Sequence, residues 1–202
     1  MRTILSSSTS TLIVDKSRFI GVTFHIESED DIDRCLKSIH KQYAKAKHYC
    51  YAYVLHQTEK GFDDGEPSKT AGRPLLELLK RGEYDETLII VVRYFGGTLL
   101  GASRLLRTYL NVATETLKRG ENSLIAIMNA YQIQVSYADY DQLLSEAKKH
   151  SYILENIVFS DRIDIKLLST LKADENLRQV FRDKILIATL PAEKRYIKET
   201  PL

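Results

Sequence analysis

A strand-like run ending in Tyr94-Phe95 opens into Gly96-Gly97-Thr98-Leu99-Leu100-Gly101-Ala102-Ser103 and continues with helical periodicity. A glycine loop feeding a helix N-terminus gathers unpaired backbone N–H groups at the positive end of the helix dipole, which favours anions. Gly96, Gly101 and Ser103 keep the interval of a phosphate loop, but Ala102 stands where the lysine must reach the β/γ-phosphates. Nucleotide hydrolysis is therefore set aside, and anion binding remains. Arg104, Arg107 and Asn111 lie at i, i+3 and i+7 and share a helix face, with Arg93 at the loop entrance. The expectation is one anion or nucleic-acid site built from Arg93, Gly96, Gly97, Gly101, Ser103, Arg104 and Arg107. The plainer reading has each arginine pair with a carboxylate of a nearby acidic loop and fasten it.

That acidic loop is Asp63-Asp64-Gly65-Glu66-Pro67-Ser68-Lys69-Thr70-Ala71-Gly72-Arg73-Pro74. Its three carboxylates could hold a hard cation or work as general acid and base. Acidic residues beside Gly and Pro are also ordinary turn formers, and the loop fits no EF-hand. His48 and Cys50 fall on one face of an alternating strand, too far apart at i and i+2 for a thiolate–imidazole pair. They lack companions at zinc-ligand spacing, so neither a metal nor a cofactor is expected. Tyr49, Tyr51 and Tyr53 occupy the other face, as a stacking row for bases or as half of a core.

The elements that must position these groups follow from periodicity. Strands are expected at Ser10–Asp15, Phe19–Ile26, His48–His56 and Thr87–Tyr94, the last apolar at consecutive positions and hence central. Helices are expected from Glu29 to beyond Ile39, from Leu75 to Lys80, and from Leu100 to Lys118 with a buried stripe of Leu106, Tyr109 or Leu110, Ala113 and Leu117. Met1–Ser10 reads as a partly ordered lead-in, and Lys60–Pro74 as a turn-rich stretch. Gly120 marks a helix end, and the polar break after it separates a domain of residues 1–120 from one of 121–202. The second part reads as strand Leu124–Tyr137, helix Tyr140–His150, strands Tyr152–Phe159 and Arg162–Ser169, helix Asp174–Phe181 and strand Ile185–Leu190. This βαββαβ order is the ferredoxin-like plan, with Asp139 or Asp141 and Asp174 as helix caps.

Composition excludes several classes. The net charge is +2, and residues 1–120 carry 18 Lys/Arg against 15 Asp/Glu, so any anion site is a local cluster rather than a charged coat. The longest apolar run, Leu88–Val92, is far short of a membrane span. Two cysteines, Cys35 and Cys50, suit reduced thiols and a cytoplasmic location.

Three segments, Lys47–Tyr53, the DDGEPSKTAGRP loop at 63–74 and RYFGGTLLGASRLLRTY at 93–109, together resemble the hallmark stretches of the IMPACT/YigZ family. The resemblance covers nearly the whole chain. It implies an α+β protein: an N-terminal domain like domain 2 of ribosomal small-subunit proteins, then a ferredoxin-like domain similar to the last domain of elongation factor G. His48, Tyr51, Asp63, Asp64, Glu66, Ser68 and Thr70 are the family-motif candidates. Relatives in eukaryotes regulate translation through an extra N-terminal domain, and the short bacterial members have no assigned reaction. The resemblance thus implies a translation-linked binding protein contacting RNA or the ribosome, or a protein partner in translation. The alternative is an enzyme acting on a phosphorylated or acidic small molecule. Lys69, Leu99 and Ser103-Arg104 depart from the family pattern, which moves the local cation rather than removing it.

Overall fold

The computed structural model describes residues 1–182 and 184–198 and divides into two compact units, Met1–Leu124 with Ile197 and Lys198, and Ile125–Tyr196. The first unit holds β1 (Arg2–Ile4), β2 (Ser8–Val14), β3 (Ser17–His25), α1 (Glu29–Gln42), β4 (His48–Leu55), β5 (Thr58–Phe62), α2 (Gly72–Arg81), β6 (Thr87–Tyr94) and α3 (Ala102–Arg119). Strands two to six form an antiparallel sheet in the order β2-β3-β6-β4-β5. β6 sits at its centre, as its unbroken apolar run requires, and residues Thr87–Arg93 are all buried. Alternation along the strands sends side chains to two cores. Phe19, Cys50, Ala52, Ile89 and Val91 pack under Leu75 and Leu79 of α2 and Leu105, Tyr109, Val112 and Ala113 of α3. Ile20, Val22, Leu88, Ile90 and Val92 pack on the other side against Ile32 and Ile39 of α1.

Several local features differ from the sequence reading. The lead-in contains β1, whose Ile4 is fully buried and whose Arg2–Ile4 pair with Leu124–Asn122. Lys60–Phe62 belong to β5, paired with β4 through Tyr51–Tyr53, so the expected turn-rich stretch starts later. α2 begins at Gly72 because Pro74 is tolerated in a first turn, where no intrahelical N–H is needed. The acidic start of α1 is closed by a residue the sequence reading passed over: Ser28 caps it in a reciprocal box with Asp31. Gly120 does end α3 but with φ −71°, in extended rather than left-handed backbone.

The second unit is built from β7 (Asn122–Val135), a 3₁₀ turn (Tyr137–Asp139), α4 (Tyr140–His150), β8 (Ile153–Phe159), β9 (Ile163–Ser169), α5 (Asp174–Phe181) and β10 (Leu186–Lys198). Its strands lie in the order β10-β7-β9-β8, the arrangement a βαββαβ chain makes when each helix crosses over a neighbouring strand. Ile133, Ile163, Ile165 and Leu167 face Leu143, Leu177 and Phe181. The expected aspartate caps do not form: Asp139 and Ala173 precede α4 and α5 without a side-chain cap bond, Asp174 lies inside α5, and Ser136 caps the 3₁₀ turn. No helix among the described residues is long and apolar enough to cross a membrane.

Candidate functional site

β4 and β6 set the floor of the candidate site on the face covered by α2 and α3, where His48, Cys50 and Arg93 all project. Arg93 is buried there and donates to Glu66 Oε1 at 2.6 Å. The same oxygen accepts the Tyr109 hydroxyl at 2.8 Å and lies 3.9 Å from His48 Nε2. The guanidinium is also sandwiched over the rings of Phe19 and Phe95, 5.1 and 5.4 Å from their centroids. A buried carboxylate is tolerable only with such partners, and here it has a cation and a hydroxyl.

The acidic loop is fastened by its own side chains. Asp63 accepts the backbone N–H groups of Ala71 (3.0 Å) and Gly72 (2.8 Å) through Oδ1 and that of Lys69 (3.1 Å) through Oδ2. It thereby caps α2 from nine residues upstream, which Ala71 at the cap position could not do. Asp64 accepts the Tyr49 N–H at 2.7 Å, and its carbonyl accepts His48 Nδ1–H at 2.7 Å. Asp64 and Gly65 both take left-handed backbone, and Thr70 closes the turn by donating to the Pro67 carbonyl at 2.6 Å. Ser68 is exposed on the outside of this loop. Cys50 lies 2.9 Å from the Asp63 carbonyl and 3.3 Å from the Tyr109 hydroxyl. Burial pushes its thiol well above the ordinary range, reinforced by the carboxylates of Glu66, Asp64 and Asp63 against the Tyr109 hydrogen bond. Burial first, then Cys50 and Glu66, push the Tyr109 phenol up as well. Neither group is poised as a nucleophile.

The glycine loop is the opposite. Gly96 packs so tightly on the backbone of Lys16 and Ser17 that an added Cβ would stand 2.2 Å from the Lys16 carbonyl carbon, and its N–H donates to Ser17 Oγ. Gly97 (φ +88°) and Gly101 (φ +74°) have nothing within 4 Å of where a Cβ would be. Leu99 between them is 87 % exposed, and Phe95 and Ser103 are also exposed. α3 starts at Ala102 behind Gly101 with no side-chain cap, so no capping side chain satisfies its first N–H groups. Arg107 is exposed beside them, its Nε 3.4 Å from the Ser103 carbonyl. Arg104 makes a two-pronged pair with Asp15, at 2.6 and 3.2 Å, while remaining half exposed.

The expected convergence of four polar groups is therefore only partly realised. Arg93 faces the interior, because odd-numbered β6 residues point to the α2–α3 side, while Asn111 lines a separate groove with Ser10, Thr11 and Leu12. Tyr51, on the α1 side against Phe62, is remote from His48 by strand alternation, and Tyr49 and Tyr53 share its half-buried face. Of the expected buried stripe of α3, Tyr109, Ala113 and Leu117 are buried, and the buried face extends to Leu105, Val112 and Thr116 rather than to Leu106 and Leu110. Leu106 and Leu110 instead line a cleft of about 400 Å³ with Leu78 of α2 and the basic Lys69, Arg73 and Arg81. Asp15 and Tyr109 are the functional partners that sequence reasoning missed. Asp15 sits in an unremarkable β2–β3 turn, and Tyr109 was legible only as core.

The family model for the Impact N-terminal domain matches residues 15–117, the stretch that holds both loops. The chain belongs to the IMPACT family. It is 34% identical over 161 residues to IMPACT family member YvyE of Bacillus subtilis, covering 77% of this chain and 73% of that one. Against IMPACT family member YigZ of Escherichia coli it is 32% identical over 129 residues, 61% of this chain and 63% of that protein. A crystal structure described as a hypothetical protein shares the fold with TM-score 0.59 at 23% identity, covering 94% of this chain and 96% of its own.

Proposed function

We propose that this IMPACT family member is a translation-linked binding protein that contacts RNA or the ribosome through its open glycine loop and the first turns of α3. One observation carries this reading: α3 begins without a side-chain cap next to the exposed Arg104 and Arg107, on a loop whose Gly97 and Gly101 leave room for close backbone approach. The carboxylates that the enzyme alternative needs are already engaged with backbone N–H groups, Arg93 and Tyr109. Two unpaired cysteines accord with a cytoplasmic setting.

The test is sedimentation of the tagged protein with ribosomal fractions at two salt concentrations, wild type against Arg104→Glu/Arg107→Glu. The double variant is expected to stay folded by thermal melt, to associate more weakly, and to lose about one unit of log–log salt slope per abolished phosphate contact. Association and slope equal to wild type would remove this surface from consideration.

A further inference from the structure

At the opposite ends of the same strands, His25 of β3, Glu27 just beyond it and Glu86 just before β6 bring ligand atoms within 4.8 Å of one another. Glu86 is 1 % exposed at its side chain and Glu27 59 %. From the β4–β5 turn, His56 Nδ1 reaches 3.6 Å from Glu86 Oε1 and 3.7 Å from Asp85 Oδ2. Asp85 in turn holds this corner by accepting the backbone N–H groups of His56 at 2.6 Å and Glu86 at 2.8 Å.

The hydrogen bonds around Thr3 orient the histidine. With the Thr3 hydroxyl hydrogen directed at the Glu86 carbonyl, 3.1 Å away, its oxygen accepts from Nδ1–H of His25 at 3.0 Å. The neighbouring Thr87 hydroxyl donates elsewhere, to the Asp85 carbonyl at 2.8 Å. In that tautomer Nε2 carries the lone pair, and it stands 3.6 Å from Glu27 Oε1. An imidazole held at one nitrogen by a hydroxyl and aimed with the other at carboxylates is the orientation that metal-ligating histidines take. Donor atoms on a tetrahedral zinc, bound at about 2.0–2.2 Å, stand about 3.3 Å apart, and His25 Nε2 and Glu27 Oε1 stand 3.6 Å apart here.

We propose that His25 Nε2, Glu27 and Glu86, with water completing the coordination, bind a divalent transition ion of the zinc or cobalt type. Imidazole nitrogens beside carboxylates select such ions over magnesium or calcium, which prefer all-oxygen sets. The ion clamps the end of β3 to the start of β6, while Thr3 ties β1 to the same corner. No linear motif announces it, because the ligands come from two segments far apart in sequence. The occupant that competes with it is a proton shared between Nε2 and the carboxylates.

The test is titration of the chelator-treated, tag-free full chain with Co²⁺, read by visible absorption, and with Zn²⁺, read by calorimetry and by Tm. One equivalent with the intense d–d bands of a four- or five-coordinate N/O site is expected, with a rise in Tm. His25→Ala and Glu86→Gln should weaken binding at least tenfold. If Glu86→Gln does not fold, the exposed Glu27→Ala, which leaves the interior untouched, must still weaken Co²⁺ binding and dull its bands. Binding unchanged in these variants overturns the site. So does a Tm that rises on acidification while responding to neither metal, since a proton is then the occupant.

Discussion

The 63–74 loop and the 95–101 loop are neighbours on one sheet face, both rich in glycine and each leading into a helix, yet they handle the helix N-terminus in opposite ways. In the first, Asp63 supplies three backbone acceptor contacts, and Glu66 is locked between Arg93 and Tyr109. In the second, α3 begins without a cap, and only Gly96 is pinned, by the backbone of Lys16 and Ser17. A helix end satisfied internally has nothing left to offer a ligand, whereas one left to water can exchange that water for phosphate oxygens. The motif that looks most like catalytic machinery has its carboxylates engaged within the fold, and the quieter loop beside it is the surface proposed above for recognition.

The sharpest way to break this contrast is Glu66→Ala. It leaves the buried Arg93 guanidinium without its carboxylate, and loss of one partner of a buried pair costs about 3–5 kcal/mol. Urea unfolding should show that loss, and a change under 1 kcal/mol would mean that the pair is not what holds the loop. Gly96→Ala comes next, because its Cβ has no room beside the Lys16 backbone and overpacking of this kind costs about 1–3 kcal/mol. Its counterpart Gly97→Ala meets no atom and carries only the strain of a left-handed residue, about 1 kcal/mol, so its larger effect should fall on ribosome association. Equal destabilisation by the two would erase the distinction between pinned and open glycines. Asp63→Ala, which removes the cap of α2, is expected to cost about 1–2 kcal/mol and to speed amide exchange at Ala71 and Gly72.

Periodicity made most of the elements legible. The central burial of β6, the opposite faces of Tyr51 and Cys50 and the span of α5 all follow from residue type and spacing alone. What escaped were facts of tertiary geometry. β1 is three residues long and becomes a strand only because Asn122–Leu124 lie beside it, so no local pattern could announce it. α3 offered two adjacent apolar rows, and only the packing of Phe19 edge-on against Tyr109, at 5.3 Å, selects the row that is buried. The arginines shared a helix face as expected, but pairing of Arg104 with Asp15 depends on where the β2–β3 turn comes to rest. Arg93 looked like a site residue by position in the chain, yet strand parity aims it inward.

The smallest expected effect concerns the two thiols, and it tests whether the scaffold under the acidic loop is as closed as its hydrogen bonds imply. Both thiols are pushed up, Cys35 by burial and then by Asp31, and Cys50 by burial far more strongly. A thiol has an ordinary pKa near 8.5, and only the thiolate is alkylated. Because the folded Cys50 stays protonated where the unfolded one ionises, its contribution to stability is intact below pH 8.5 and fades as the pH climbs above it. Iodoacetamide at pH 8 should therefore label the half-buried Cys35 first, leaving Cys50 untouched until urea reaches the unfolding transition. In Glu66→Ala the loop that covers Cys50 loses its anchor, and labelling should begin below that transition. Cys50 reacting in the native wild type as fast as Cys35 would show that the 63–74 loop opens freely, and the contrast between a sealed loop and an open one would fall.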